Sequence, residues 1–513
     1  LAKRLVSACF GLLLLLGLSA SNLTPAGAQT VPSPSIAELQ GELDRAVARS
    51  AWNYAASYAK QIAVTYDHRE QYDEAAHYYD LNAVYWEKYG KPGWGIANAI
   101  RADHIRTVVE VYAEAPAEDD GNRRLEKFEP RTGAYIGLYP AGKGFSGSPT
   151  GAEAAFGKKH AVYLTYTHFN RLYADQTAFP LEYARKVKEL GGALQIGWEP
   201  HGGLGEVKDD AYMRQFAKEA AASGVPVFLR FACEMNGDWV PWHGDPAQYV
   251  EKWRLVHDIM AEAAPNVAMV WSPNFLPRDN IAPYYPGDEY VDWVGFSLYT
   301  IPYSHGERKL GGNPIDYLRP LYEKYGHKPI MISEGAVSFY SYQLHEDFTR
   351  WGVWQLANMY AYMPRLYPML KSITYFDLDK RTTDYDNRNN NYDLHDSPEM
   401  LAAYKKYTSS AQYLTAVADG AAPSRSATYR NIAQAGPLPD RVKLFVYVKL
   451  PLGKQPHAVH LLAPDGRLIG RSYEPPFDME AVMSELPQAG ELTVKVLDDR
   501  NRLLAEKTIA YKR

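Results

Sequence analysis

Cysteine is nearly absent: the 513 residues contain 2, Cys9 and Cys233. Cys9 lies in a leader-like stretch, so removal of that stretch leaves Cys233 alone and excludes an internal disulfide as a source of stability. The fold must then rest on its apolar core, which a hydrophobic fraction of 46% can supply. Clustered Cys and His spacings of the metal-binding kind are missing, and no metal or other cofactor is expected. Neither sign of charge dominates, with 55 Lys and Arg against 60 Asp and Glu. The formal net charge is −5 with acids and bases mixed along the chain, which leaves no basic stripe for nucleic acid. The most extended apolar run lies in LAKRLVSACFGLLLLLGLSASNLTPAGA, residues 1–28. Its basic start, short apolar run and small-residue end fit a secretory signal cleaved after Ala28, and it lacks the basic flank of a stop-transfer span. A secreted or cell-surface chain with no stable membrane span after signal removal is expected.

What is abundant is aromatic, with 40 Tyr and 11 Trp. Such a surplus suits stacking on flat ligands or packing. Residues 36–115 carry apolar positions at three- and four-residue spacing (Tyr54, Tyr58, Ile62; Tyr72, Ala75, Ala76, Tyr79) and read as helices. YDEAAHYYDLNAVYWEKYG looks like a tetratricopeptide-type hairpin, either a packing module or part of an array that contacts a protein partner. After the polar stretch EAPAEDDGNRR, short apolar runs alternate with amphipathic stretches from 130 to 410: AYIGLYP, HAVYLTYTHF, GALQIGWEPHGG, VPVFLRFACEMNG, NVAMVWSPN, VDWVGFSLY, KPIMISEGA and SITYFDLDK. Strands that alternate with helices pair in parallel, and this number of units over this length fits a (β/α)8 TIM barrel. From 414 to 513 the pattern changes to β runs split by turns such as Pro464-Asp465-Gly466, an immunoglobulin-like β-sandwich.

In such a barrel the reacting groups sit where the strands end. The third run ends in Trp198, Glu199, Pro200 and His201. The fourth ends in Glu234, Asn236 and Trp239, the sixth in Tyr299 and the seventh in Glu334. Two glutamates facing one another across the mouth are what glycoside hydrolysis needs, one to give a proton and one to attack or stabilise the anomeric carbon.

These motifs resemble glycoside hydrolase family 26, a clan A family of retaining endo-acting enzymes best known as β-mannanases. RFACEMNGDWVPW (230–242) resembles its acid/base strand, SEGA (333–336) its nucleophile strand, and YYPGDEYVDWVGFSLY (284–299) its sixth-strand signature. WEPHGG (198–203) and NYDLHDSPEMLAAYKKY (391–407) fit as well. The resemblance implies Glu234 as general acid/base, Glu334 as nucleophile and Tyr299 as the hydrogen-bond donor that orients it. It also implies substrate contacts by Trp198, His201, Asn236, Trp239, Trp242 and Tyr375. Three positions depart from the family pattern: Cys233 stands where His is common, Ser297 where an acid is common, and ITYFD lacks a tryptophan. All three are expected where substrate is gripped, so mannan specificity does not follow.

Neighbours on a strand face opposite sides, so Cys233 should turn away from the mouth unless the strand end is bent. A nucleophilic cysteine would need a base, and no Cys/His/Asn arrangement accompanies it. The expected function is a secreted retaining endo-β-glycosidase acting on mannan, β-glucan, β-1,3-xylan or a bacterial exopolysaccharide. Its two carboxyls should stand about 5 to 5.5 Å apart. The alternative is a non-catalytic cell-surface glycan-binding or scaffold protein on the same barrel.

Overall fold

The computed structural model describes residues 34–115, 123–143, 145, 147–169, 179–304, 306–380, 390–417 and 427–512. The expected signal, 1–28 with Cys9, lies outside them. Among the described residues no helix is long and apolar enough to cross a membrane.

Four helices come first: Ile36–Ala48, Trp52–His68, Tyr72–Lys88 and Ile96–Ile105. Ser35 and Glu38 close a capping box on the first, each side chain bonding the other's backbone N–H. The seam between the second and third is built from alanines, Ala55, Ala56, Ala59, Ala63, Ala75 and Ala76, with Ile62 and Tyr79 beside them. Small residues let the helices approach closely, which leaves Tyr54, expected on the apolar face, exposed. The helices end at Ile105. Residues 108–115, expected with them, instead form the strand Val108–Ala115, antiparallel to Arg441–Lys449 and Thr428–Asn431.

The barrel strands are Ala134–Pro140, Val162–His168, Ala193–Glu199, Val227–Phe231, Val267–Trp271, Trp293–Thr300, Ile330–Val337 and Leu370–Asp377. Every neighbouring pair is parallel, and the eighth closes on the first with Ser372 opposite Tyr135. Helices cover most crossovers, for example Ala211–Ser223 and Pro246–Ala263. Between the fifth and sixth strands only short 3-10 turns occur, at Arg278–Asn280, Ala282–Tyr284 and Asp288–Tyr290. Polar side chains meet inside the barrel: Thr374 Oγ1 donates to Gln195 Oε1 at 2.9 Å, and Gln195 Nε2 to the Ser333 carbonyl at 2.5 Å.

Tyr413–Leu414 pairs with the first barrel strand, so the C-terminal unit begins later than 414. Its strands form two four-stranded antiparallel sheets, one of which contains Val108–Ala115. That sheet is tied to the barrel by a buried ion pair, Lys449 Nζ to Asp316 Oδ2 at 2.6 Å, and by Asn313 Nδ2 donating to the Tyr447 hydroxyl at 3.0 Å. Glycines mark where the helical module meets the barrel. A Cβ on Gly311 would stand 2.3 Å from the His104 carbonyl, and one on Gly93 2.5 Å from Asp279 Oδ2. The helices therefore pack against the loops after the fifth and sixth strands, on the side where those strands end.

Candidate active site

On the seventh strand the register against the sixth slips between Ile332 and Glu334. A bulge of this kind re-aims side chains, and here both Ser333 and Glu334 turn inward. Ser333 Oγ meets Ser272 Oγ at 2.7 Å, while Glu334, only 8% exposed, reaches the mouth. Its Oε1 accepts a bond from the Tyr299 hydroxyl at 2.5 Å. Its Oε2 accepts one from the Tyr166 hydroxyl and one from Arg230 Nη1 at 3.0 Å. Arg230 is fully buried, and its other donors go to Ser272 Oγ and Ser297 Oγ, each at 3.1 Å. Burial by itself would push the Glu334 pKa up; the Arg230 charge, the two phenol donors and Lys380 together outweigh it and hold the carboxyl below its ordinary value. Glu334 is thus kept ionised in a nearly dry setting.

Tyr166 reaches Glu334 across the third strand only because residue 197 is glycine. A Cβ there would stand 2.5 Å from Cδ1 of the Tyr166 ring. Gly197→Ala is therefore expected to displace the ring, destabilise the protein by about 1 to 3 kcal/mol and lower turnover. Thermal melts together with kcat measurements check this; an unchanged kcat would show that the Tyr166 bond is dispensable.

The other glutamate is placed by strain. The fourth strand stops at Phe231, and Ala232 and Glu234 adopt left-handed backbone at φ 46 and φ 59, a conformation costly for residues with a Cβ. Three bonds hold the turn: Ala232 N–H to the Trp198 carbonyl at 2.9 Å, Glu234 N–H to the Ser272 carbonyl at 2.8 Å, and the Trp242 indole N–H to the Cys233 carbonyl at 2.7 Å. Glu234, partly exposed, then accepts from Asn274 Nδ2 at 3.0 Å and from Trp239 Nε1 at 2.7 Å. Trp239 is 54% exposed and crosses Gly237, where a Cβ would lie 2.3 Å from the indole.

A third carboxyl shares the mouth. Burial, with the neighbouring Glu334 and Glu234 adding to it and His168 and Arg230 opposing, raises the Glu199 pKa to about 7. His201 Nε2 lies 3.0 Å and His168 Nδ1 3.4 Å from Glu199 Oε2. These three residues have donor atoms within 4.8 Å of one another, as do Asp377, Asp393 and His395 beyond the eighth strand. Among the described residues these are the two groups of three His or acidic side chains whose donor atoms gather this closely.

Several expected substrate contacts are corrected by strand parity. Gln195, Gly197 and Glu199 face inward, so Trp198 faces out; it is fully buried, stacked on Phe216 at 3.8 Å and Phe169 at 4.4 Å. Tyr375 likewise faces the helix layer, 5.6 Å from Tyr404, and its inward neighbour Phe376 lies at the mouth, 5.9 Å from Tyr299. Trp242 is buried behind Cys233. Asn236 is also buried and is used as a brace: it donates to the carbonyls of Asn274 and Pro277 and accepts from the Asn274 N–H. Ser297 accepts from Arg230 inside the barrel, so its departure from the family pattern does not lie where sugar would be gripped. Cys233 sits in the bent turn, buried close enough to Glu199, Glu234 and Glu334 for their charges to act on it; burial first of all pushes its thiol pKa up. Trp239 and His201 remain exposed at the mouth. Arg230, Tyr166, Asn274 and Glu199 were missed as site residues. Arg230 did leave a signal, a cation inside an apolar strand run, because a buried charge requires a partner.

The family model for Glycosyl hydrolase family 26 matches residues 209–308. Endoglucanase H from Acetivibrio thermocellus is 25% identical over 297 residues, 54% of this chain and 30% of that protein. Beta-1,3-xylanase TXYA from a Vibrio species is 26% identical over 30% of this chain and 36% of its own length. A mannan endo-1,4-beta-mannosidase from Caldalkalibacillus mannanilyticus is 32% identical over 16% of this chain and 18% of its own length. The chain spans about a third or less of the length of these curated relatives. Among solved structures, a modular endo-beta-1,4-mannanase from Cellulomonas fimi overlaps with a TM-score of 0.43 at 15% identity, covering 76% of this chain and 99% of that one.

Proposed function

We propose that this barrel is a glycosyl hydrolase family 26 domain and that the protein is a secreted endo-β-glycosidase that cleaves a β-linked polysaccharide by double displacement with retention. The carrying observation is the contrast between two strand-end glutamates. Glu334 is nearly buried and pinned by one cation and two phenols, whereas Glu234 is partly exposed and held by neutral donors.

In this reading Glu334 attacks the anomeric carbon while Glu234 gives its proton to the leaving oxygen, and the glycosidic bond breaks. Water then attacks the glycosyl-enzyme ester, Glu234 takes its proton, and the sugar leaves with its original anomeric configuration. Arg230, Tyr166 and Tyr299 fix the attacking carboxylate, and the Trp239 indole N–H fixes the proton donor while its exposed face offers a stacking surface for sugar. Trp239→Phe keeps the face and removes the N–H, so kcat is expected to fall by about 10- to 100-fold with little change in the melting temperature. An unchanged kcat would leave that bond without a catalytic role.

The relatives' names point to glucan, xylan and mannan among β-linked substrates. Secretion rests on the pattern of residues 1–28. The packing of the helical module on the barrel supports a structural role for it over a peptide-binding array. The test is to incubate the full chain with β-mannan, mixed-linkage β-glucan, β-1,3-xylan and bacterial exopolysaccharide, following product length and the anomer first formed. Retained configuration on at least one polymer is expected. Inverted products, or silence across the panel, would overturn the proposal.

A further inference from the structure

Where the eighth strand ends, Asp377, Asp393 and His395 converge, and one oxygen of Asp377 and both ring nitrogens of His395 have no hydrogen-bond partner. Asp377 is fully buried; Oδ1 accepts the Leu394 N–H at 2.8 Å, and Oδ2 has no hydrogen-bond partner. Asp393 is also fully buried, accepting the His395 N–H at 3.0 Å and the Lys143 N–H at 2.7 Å. The His395 ring is edged by Phe145 at 5.4 Å and Phe156 at 4.7 Å, and neither of its nitrogens has a partner.

Two buried carboxylates call for positive charge. The Lys143 ammonium goes elsewhere, to Asp396 at 2.7 Å, and among the described residues no ion pair reaches Asp377 or Asp393. The backbone closes over the site at Gly142, where a Cβ would stand 2.6 Å from Asp377 Oδ2 and 3.1 Å from Asp393 Oδ1. Donor atoms of the three residues lie within 4.8 Å of one another.

We propose that Asp377, Asp393 and His395 form a binding site for one divalent cation, with zinc the best match to a mixed carboxylate and imidazole set. The ion clips the segment 390–396 to the end of the eighth strand. That segment carries Tyr392, whose ring lies 5.2 Å from the ring of Tyr299, and Phe376 of the strand packs on the same ring. The clip therefore backs one of the two phenols that hold Glu334.

The test uses the full chain in a His201→Gln background, so that the mouth grouping does not contribute. After chelation, titration with zinc, manganese or calcium chloride by calorimetry, with elemental analysis of the dialysed protein, should show one tightly held zinc per chain and a raised melting temperature. Asp377→Asn, which preserves shape, should weaken zinc binding by about 100-fold or more. Sub-stoichiometric metal, or unchanged affinity in Asp377→Asn, would overturn the site in favour of a buried water or a proton shared by the two carboxyls. If Asp377→Asn fails to fold, zinc-edge X-ray absorption of the loaded His201→Gln protein decides. One nitrogen and two carboxylate ligands are expected; a shell with several histidines or with sulfur overturns the assignment.

Discussion

Glu334→Ala should lower kcat/KM on any polysaccharide the protein cleaves by about 10⁴-fold or more, while binding of the intact polymer changes by only a few-fold. The asymmetry follows from where the carboxylate acts. Its three hydrogen bonds are to the protein, and its bond to the sugar forms only during reaction. Kinetics and affinity electrophoresis on the same preparation check both halves. Comparable losses of binding and turnover would instead make Glu334 a ground-state contact, and sugar release at the wild-type rate would remove it from the mechanism.

Arg230→Met is the second large effect, and it falls on stability as well as on rate. Removing the cation strands Glu334 in a nearly dry site, and breaking a buried pair in this way costs about 3 to 5 kcal/mol. The pH dependence has a definite sign. In the native protein the Glu334 pKa is lowered, so its contribution to stability is fully present above the ordinary carboxylate pKa and is lost as pH falls through the lowered folded value. Without Arg230, burial dominates and the folded pKa rises above the unfolded one. The variant should then lose stability as pH rises through the carboxylate range, opposite to the wild type, and its acid limb of kcat/KM should move to higher pH. Chemical denaturation at several pH values reads the first effect and pH–rate profiles the second; parallel stability curves would show that Arg230 does not govern the ionisation of Glu334.

The order of the barrel strands and the two facing glutamates could be read from the sequence, because alternating strand and helix runs mark where each strand ends. Nearness to a strand end does not fix the direction of a side chain. Trp198 and Tyr375 sit at the right height but on the outward parity. Gln195, an amide in an otherwise apolar run, was the available clue to which residues of the third strand face in. The bulge at Ser333 and the left-handed turn at Ala232 and Glu234 were not legible, since both are imposed by pairing with neighbouring strands. Cys233 is expected to turn away from the mouth unless the strand end is bent, and the bent case holds: the strand stops at Phe231 and Ala232 and Glu234 take left-handed backbone. The pairing of Val108–Ala115 with Arg441–Lys449 joins segments more than three hundred residues apart, and no local pattern encodes it.

In the proposed double displacement Glu334 becomes covalently bonded to sugar. Incubation with an activated 2-deoxy-2-fluoro-β-glycoside of the sugar released from the cleaved polymer should trap that ester, and peptide mass spectrometry should find one sugar on the peptide containing Glu334. A label on Glu199, Glu234 or Cys233 would remove Glu334 as the nucleophile, as would inactivation-free turnover of the reagent with inverted configuration.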